Sequence, residues 1–378
     1  MIRLRSLSRP ALLAGAGLAW MAPVWWLGPL ASLAVPLVVP TVKRKSHKFF
    51  LSLSYFAAGS IGLVPGSGVF FGAGPASYAL GAAFWVSSAA MLALPWVCAD
   101  GRKPWTVLAA LAIDALPPVG LFGWLSPLAA AGVIWPGLEA FGVAALLLMI
   151  WAWHEQRYGW AKYVLGGLAV LAVTALGSPE PPPTNIAAIN THFGKLPVSP
   201  LAQIARNQAI IAIADRSPAR VVVLPETLVN WLPGTAAQFQ SVVPAGKTWL
   251  IGATTFKRGG TLADSIVELH HDRPPSTLFD AALPVPVSMW HPWSNGGYEA
   301  VWREPVHQID GKRATAVICY DQLLAWPWLE VSVNHPAVIL ATQNEWWARG
   351  TGIPVIQQNT ARAWARLIGA RVLVATNR

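Results

Sequence analysis

Six apolar stretches, at roughly 11–40, 49–72, 76–98, 105–127, 129–152 and 163–177, fill the first half of the chain, joined by short connections. A helix that crosses a membrane needs about 20 consecutive apolar residues, and successive runs of this length are foreign to water-soluble folds. Composition agrees, since 54% of the residues are hydrophobic and only 12% charged, well outside the soluble range. The first stretch exceeds one span and carries Pro23 and Gly28 near its middle, so it reads as a tight helical hairpin. A cleaved leader is the rival reading, but the apolar stretches downstream disfavour it. Orientation follows from the basic residues. Arg3/Arg5/Arg9, Lys43/Arg44/Lys45/Lys48, Arg102/Lys103 and Arg157/Lys162 fall in alternate connections, while those around 65–75 and 125–127 carry no charge. With the first stretch as a hairpin, all four clusters face the cytoplasm. The run at 163–177 then makes a seventh crossing, and everything after it lies outside.

Charge is unevenly spread. Residues 1–177 hold 11 Lys/Arg and 4 Asp/Glu against 16 and 13 in 178–378, so +7 of the net +10 sits in the apolar half. The cations cluster between apolar runs and form no stripe with interleaved aromatics, so no direct nucleic-acid partner is expected. Asp114 and Glu139 lie inside apolar runs, where a carboxylate is costly and often functional. Glu139 follows Trp135-Pro136-Gly137 near the outer face, where a helix-start or packing role is the competing reading. The two cysteines, Cys98 and Cys319, close runs in different halves and read as free thiols.

Gly177-Ser178-Pro179-Glu180-Pro181-Pro182-Pro183 cannot continue a helix and reads as a stiff, extended linker. The expected organisation is a transmembrane helical domain over 1–177, a linker over 178–184 and a second domain over 185–378. Beyond the linker, short β-branched runs at 186–189, 221–224, 249–255, 265–269, 314–318, 337–340 and 372–375 alternate with helical spacing at 200–216 and 360–368. That alternation predicts a layered α/β domain. There is no phosphate loop, no G-x-G-x-x-G and no His/Cys grouping with metal-ligand spacing, so no cofactor or metal is expected.

Two of the predicted strands end in reactive side chains. Val221–Leu224 runs into Pro225-Glu226, and Ala314–Ile318 runs into Cys319-Tyr320-Asp321. Strand ends hold side chains rigidly yet free them from the sheet. A thiol there needs a base or a depressed pKa to act as a nucleophile, and a shielded glutamate can take its proton. Each residue also has a plain reading, Cys319 as a small buried apolar group and Pro225-Glu226 as a helix start.

Leu224-Pro225-Glu226-Thr227 and Ile318-Cys319-Tyr320-Asp321 resemble the glutamate and cysteine motifs of the nitrilase (carbon–nitrogen hydrolase) superfamily. Asn344-Glu345-Trp346-Trp347 is similar to the Asn/Trp loop of that family, and the resemblance covers most of 185–378. It implies an αββα sandwich with Cys319 as nucleophile and Glu226 as base. Tyr320, Asp321, Asn344, Glu345, Trp346 and Trp347 are then candidates for binding or orienting substrate. A membrane bundle followed by such a domain resembles apolipoprotein N-acyltransferase, which also makes Glu139 a candidate. The shorter TraB-type conjugal transfer proteins are more similar still, with Pro284-Val285-Pro286-Val287-Ser288-Met289-Trp290 as a shared run. These resemblances imply a multi-pass protein of the bacterial inner membrane with its C-terminal domain in the periplasm. They imply membrane lipid, a pilin or lipoprotein substrate and conjugative transfer components as partners. The family's lysine is expected within 277–283, a stretch that reads Thr-Leu-Phe-Asp-Ala-Ala-Leu. Lys257 reads as a solvated turn residue. Two functions remain open: acyl transfer or amide chemistry through a cysteine thioester, and an impaired nitrilase-fold assembly factor.

Overall fold

In the computed structural model, residues 2–175, 184–293 and 296–378 are described, so most of the expected linker lies outside the described residues. The chain divides into two compact units, and the division is not one cut in the sequence. The first unit comprises Met1–Glu180 together with Leu323–His335 and Ala348–Ala370; the second holds the rest. The expected 185–378 domain is therefore crossed by two helices, Ala325–Asn334 and Ile353–Ile368, that group with the first unit. Packing within that unit explains the grouping. Gly132 lies so close to Ala363 O that any side chain there would collide with it. Asn359 Nδ2 donates to Trp20 O and Ala22 O at 3.0 and 2.9 Å.

Among the described residues, the first unit is built of helices, and its apolar stretches are more broken than their hydropathy alone suggests. Among the described residues, Pro75–Cys98 is the one helix long and apolar enough to cross a membrane by itself. Up to three segments qualify if Lys45–Gly59 with Leu63–Phe70, bent by 45°, and Pro127–Ile134 with Glu139–His154, bent by 113°, each count as one span. The larger bend falls at Trp135-Pro136-Gly137, where proline removes a helical hydrogen bond and Gly137 adopts φ 75°. The first helix ends at Leu18, and Gly28 then packs directly against Trp20, closing the turn expected near Pro23.

Among the described residues, the second unit holds ten strands: β1 (Ile186–Ala188), β2 (Val221–Val223), β3 (Val229–Asn230), β4 (Thr248–Phe256), β5 (Leu262–His270), β6 (Ser276–Asp280), β7 (His307–Ile309), β8 (Lys312–Ile318), β9 (Val338–Asn344) and β10 (Arg371–Asn377). One sheet runs β1-β2-β4-β5-β6, with β3 also paired to β4; the other runs β10-β9-β8-β7. Neighbours are parallel except at β4/β5, β5/β6 and β7/β8. All seven sequence-predicted strands are present. The helix Pro200–Asp215 forms where the spacing called for one, with Pro200 in its first turn.

Side-chain alternation sorts the strands into two cores. Val221, Val223, Leu250, Ile266 and Phe279 of the first sheet pack with Ala316, Ile318, Val338, Leu340 and Ala375 of the second, filling the space between the sheets. Val222, Ile251, Ala253 and Val267 face the other way and pack with Ile210, Ala214 and Phe239 from the covering helices. β2 and β4 are buried on both faces, which is why Val221–Leu224 reads as an unbroken apolar run. Cys319 belongs to the inter-sheet core.

Candidate active site

Glu226 and Cys319 meet at the carboxyl ends of β2 and β8. Glu226 is 4% exposed and Cys319 8%, and their side chains are hydrogen-bonded to each other. The Glu226 segment is pinned against β4 by Leu224 N donating to Leu250 O at 2.8 Å and Leu228 N donating to Gly252 O at 2.9 Å. Gly252 is required there, because a Cβ would run into Pro225 O and Glu226 Cα. Thr227 and Cys319 both adopt left-handed backbone conformations, φ 48° and 44°. For side-chain-bearing residues that geometry costs of order 1–3 kcal/mol and clusters at functional sites. Here it turns the thiol out of β8 towards the glutamate.

Among the described residues, no lysine, arginine or histidine forms an ion pair with Glu226. Burial raises the Glu226 carboxyl above its ordinary range, against hydrogen bonds from Asp264, Cys319 and the backbone of Asn344. Burial, and after it the charge of Glu226, pushes the Cys319 thiol well above its usual value. The resting nucleophile is thus a neutral thiol that must lose its proton during reaction, and a glutamate with a raised pKa is a suitable acceptor.

Asp321 is fully buried and accepts backbone N–H bonds from Ala282 and Leu283, both at 2.8 Å. Burial brings it up to about 8 despite those two donors. Its role is to tie the segment after β6 to the nucleophile turn. Asn344 contributes through its backbone, which hydrogen-bonds to Glu226 and Cys319, while its Oδ1 accepts from Asn377 Nδ2 at 2.9 Å. Tyr320 is 7% exposed, in the turn that starts at Cys319.

Three sequence-based assignments are corrected or relocated. Glu345 is a candidate for binding or orienting substrate on the resemblance, but its carboxylate is taken by Arg378 Nε at 2.8 Å and by Gln343. A 3% exposed carboxylate needs such a partner, so Glu345 closes the β9–β10 end of the sheet. Lys257 is not free in solvent: its Nζ lies 2.7 Å from Asp280 Oδ2. Glu139 belongs to the other unit, where it begins a helix at φ 52° and pairs with His335 Nδ1 at 2.5 Å. Trp346 and Trp347 are half-buried, with Lys195 Nζ 5.5 Å from the Trp346 ring centre. The stretch expected to hold the lysine ends in Ala281, Ala282 and Leu283, all buried.

Asp264 was missed from sequence. It is 2% exposed on β5, hydrogen-bonded to Glu226, and accepts from Thr227 Oγ1 at 3.3 Å. The sequence carried little signal for it, because β5 also contains Ser265 and Glu268 and an acid at 264 does not stand out among them.

No family model matches the sequence. Among solved structures, the chain is similar to an amidase of the nitrilase superfamily from Nesterenkonia AN1, at 11% identity and TM-score 0.38 over 51% of this chain and 74% of that one. It is also similar to XC1258 from Xanthomonas campestris, a CN-hydrolase superfamily protein, at 14% identity and TM-score 0.35 over 51% and 75%. Among curated proteins, it is 27% identical to the probable conjugal transfer protein TraB of Sinorhizobium fredii, over 94% of this chain and 95% of that one. It is 30% identical to the conjugal transfer protein TraB of Agrobacterium fabrum, over 94% of this chain and 90% of that one. On that near full-length similarity, the chain belongs to the TraB family of conjugal transfer proteins.

Proposed function

We propose that this protein serves a conjugative transfer system as a multi-pass inner-membrane component whose second unit faces the periplasm. There it carries out acyl transfer or amide-bond chemistry on a membrane-proximal pilin or lipoprotein, through a thioester on Cys319. The observation that carries this reading is the buried Glu226–Cys319 hydrogen bond, with the thiol aimed by a left-handed residue at a strand end. In the proposed cycle the thiol proton passes to Glu226 as Sγ bonds the acyl carbon. The leaving group takes that proton as its own bond to the acyl carbon breaks. An amine or water then attacks the thioester, gives its proton to Glu226, and the departing sulfur takes it back.

A second reading, a binding factor without turnover, is favoured by one observation: buried Ala281 and Ala282 lie where the resembled family's lysine is expected. The two readings separate on a single atom, because catalysis needs the Cys319 sulfur and binding tolerates its loss. Conjugal transfer from donors carrying Cys319→Ala is therefore the deciding assay: transfer collapses if the thiol reacts and persists if it only packs.

The multi-pass topology is supported by the apolar helices of the first unit and by the basic clusters in alternate connections. Alkaline phosphatase fused after Arg378 is expected to be active in intact cells. An inactive fusion of normal abundance would contradict the periplasmic placement.

A further inference from the structure

Glu226, Asp264 and Asp321 place three buried carboxyl groups around Cys319. Among the described residues, no lysine, arginine or histidine forms an ion pair with Glu226, Asp264 or Asp321. The base nearest in strand register, Lys257, is engaged by Asp280, which lies across from Ser265. Leaving carboxylates this deep without compensation is costly, so the site must balance its charge in another way.

Strand geometry fixes where Asp264 points. It sits across from Thr254, and its same-face neighbour Ile266 lies in the inter-sheet core with Cys319, whereas Val267 lies in the opposite core. The absence of a side chain at Gly252, on the same face as Thr254, lets the Glu226 backbone come down over this position. Asp264 and Glu226 are consequently buried neighbours, with Thr227 Oγ1, one residue after Glu226, donating to Asp264 Oδ1 at 3.3 Å. Two carboxyl groups buried side by side avoid a double negative charge by keeping a proton on one of them. The other titratable groups facing the pair are Cys319 and Asp321, from the turn after β8, and Tyr298, whose hydroxyl is 3.0 Å from Thr254 Oγ1.

We propose that Glu226 and Asp264 hold one proton between them, with Asp264 as a positioning residue that sets the charge and proton capacity of the base. The proposal rests on the reading of Glu226 as the base for Cys319. At rest the pair carries one proton and one negative charge beside a neutral thiol. As Sγ bonds an acyl carbon, the thiol proton moves to the pair, which becomes neutral, and the negative charge passes to the carbonyl oxygen. When the leaving group departs with a proton from the pair, the single shared proton is restored. The pair and the reacting thiol together never hold more than one negative charge, so no cation is needed beside the base.

The test is the pH dependence of Cys319 alkylation by iodoacetamide in the full-length, detergent-solubilised protein. It is read on the Cys319 peptide by mass spectrometry, because Cys98 is exposed and also reacts. At high pH the wild-type thiol ionises beside two carboxylates; in Asp264→Asn it ionises beside one. The midpoint is expected to fall by roughly one pH unit or more. Glu226→Gln, which removes the other carboxyl, is expected to shift it in the same direction, and it serves alone if the Asp264 variant does not fold. An Asp264 that only packs would leave the midpoint unmoved on isosteric replacement. A profile superimposable on wild type, or shifted upward, overturns the proposal. Alkylation requires no substrate, so failure here is distinct from failure to find an acyl adduct.

Discussion

Replacing Cys319 with alanine is expected to lower conjugal transfer by at least about 10²-fold without changing the amount of protein in donor membranes. A positioned acid–base group contributes on the order of 10²–10⁴ to rate, and loss of the nucleophile costs at least as much as loss of its base. The structural cost of the change is small, since it removes one buried sulfur, and truncations of that size cost about 1 kcal/mol. Glu226→Gln keeps the shape of the side chain and is expected to fall in the same range. Groups that act as a unit are not additive, so the double variant should transfer no worse than the poorer single one. Independent, multiplying losses would mean that the two residues serve separate roles, as they would in a binding factor. Mating frequency against immunoblot level in the same cells measures both quantities.

The second large effect is on folding. Asp321→Ala strips the acceptors from the backbone amides of Ala282 and Leu283 in a fully buried place. A buried donor left unsatisfied costs about 1–3 kcal/mol, so two should cost roughly 3 kcal/mol or more. Relief from burying a charge does not offset this near pH 7, because burial holds the group at about 8 and so mostly protonated. For a unit of this size the loss corresponds to a melting temperature lower by roughly 6–12 °C. Asp321→Asn keeps one acceptor oxygen and is expected to lose about half as much. Tryptophan fluorescence during thermal unfolding in detergent provides the measurement. An unchanged melting temperature for the alanine variant would mean that the two amides find other partners.

What could be read from the sequence follows from how locally each feature is encoded. Val221–Leu224 and Ala314–Ile318 announce themselves because buried strands need unbroken apolar runs, and their ends mark Glu226 and Cys319 without further information. β3 and β7, two and three residues long, and the polar β6 are edge or rim segments whose pairing comes from neighbours rather than composition. Hydropathy located the apolar stretches of the first unit. It averaged over the bends at 60–62 and 135–138, which depend on how the helices pack. Asp264 became visible as part of the site only once the β4–β5 register placed it beside Glu226, some 40 residues earlier in sequence. Asn344 and Glu345 show the reverse error. Their position in the motif pointed to side-chain roles, yet the backbone of Asn344 faces the thiol and Arg378 claims Glu345.

In the proposed function Cys319 carries an acyl group and Glu226 helps to move it on. The most direct measurement is the mass of the Cys319 peptide from wild-type and Glu226→Gln protein, isolated from membranes under mildly acidic conditions. An acyl increment on Cys319 that neutral hydroxylamine removes is expected, with occupancy altered in Glu226→Gln because a step of the transfer has lost its base. An unmodified thiol at Cys319 in both proteins, under conditions where conjugation proceeds, would contradict the proposed function.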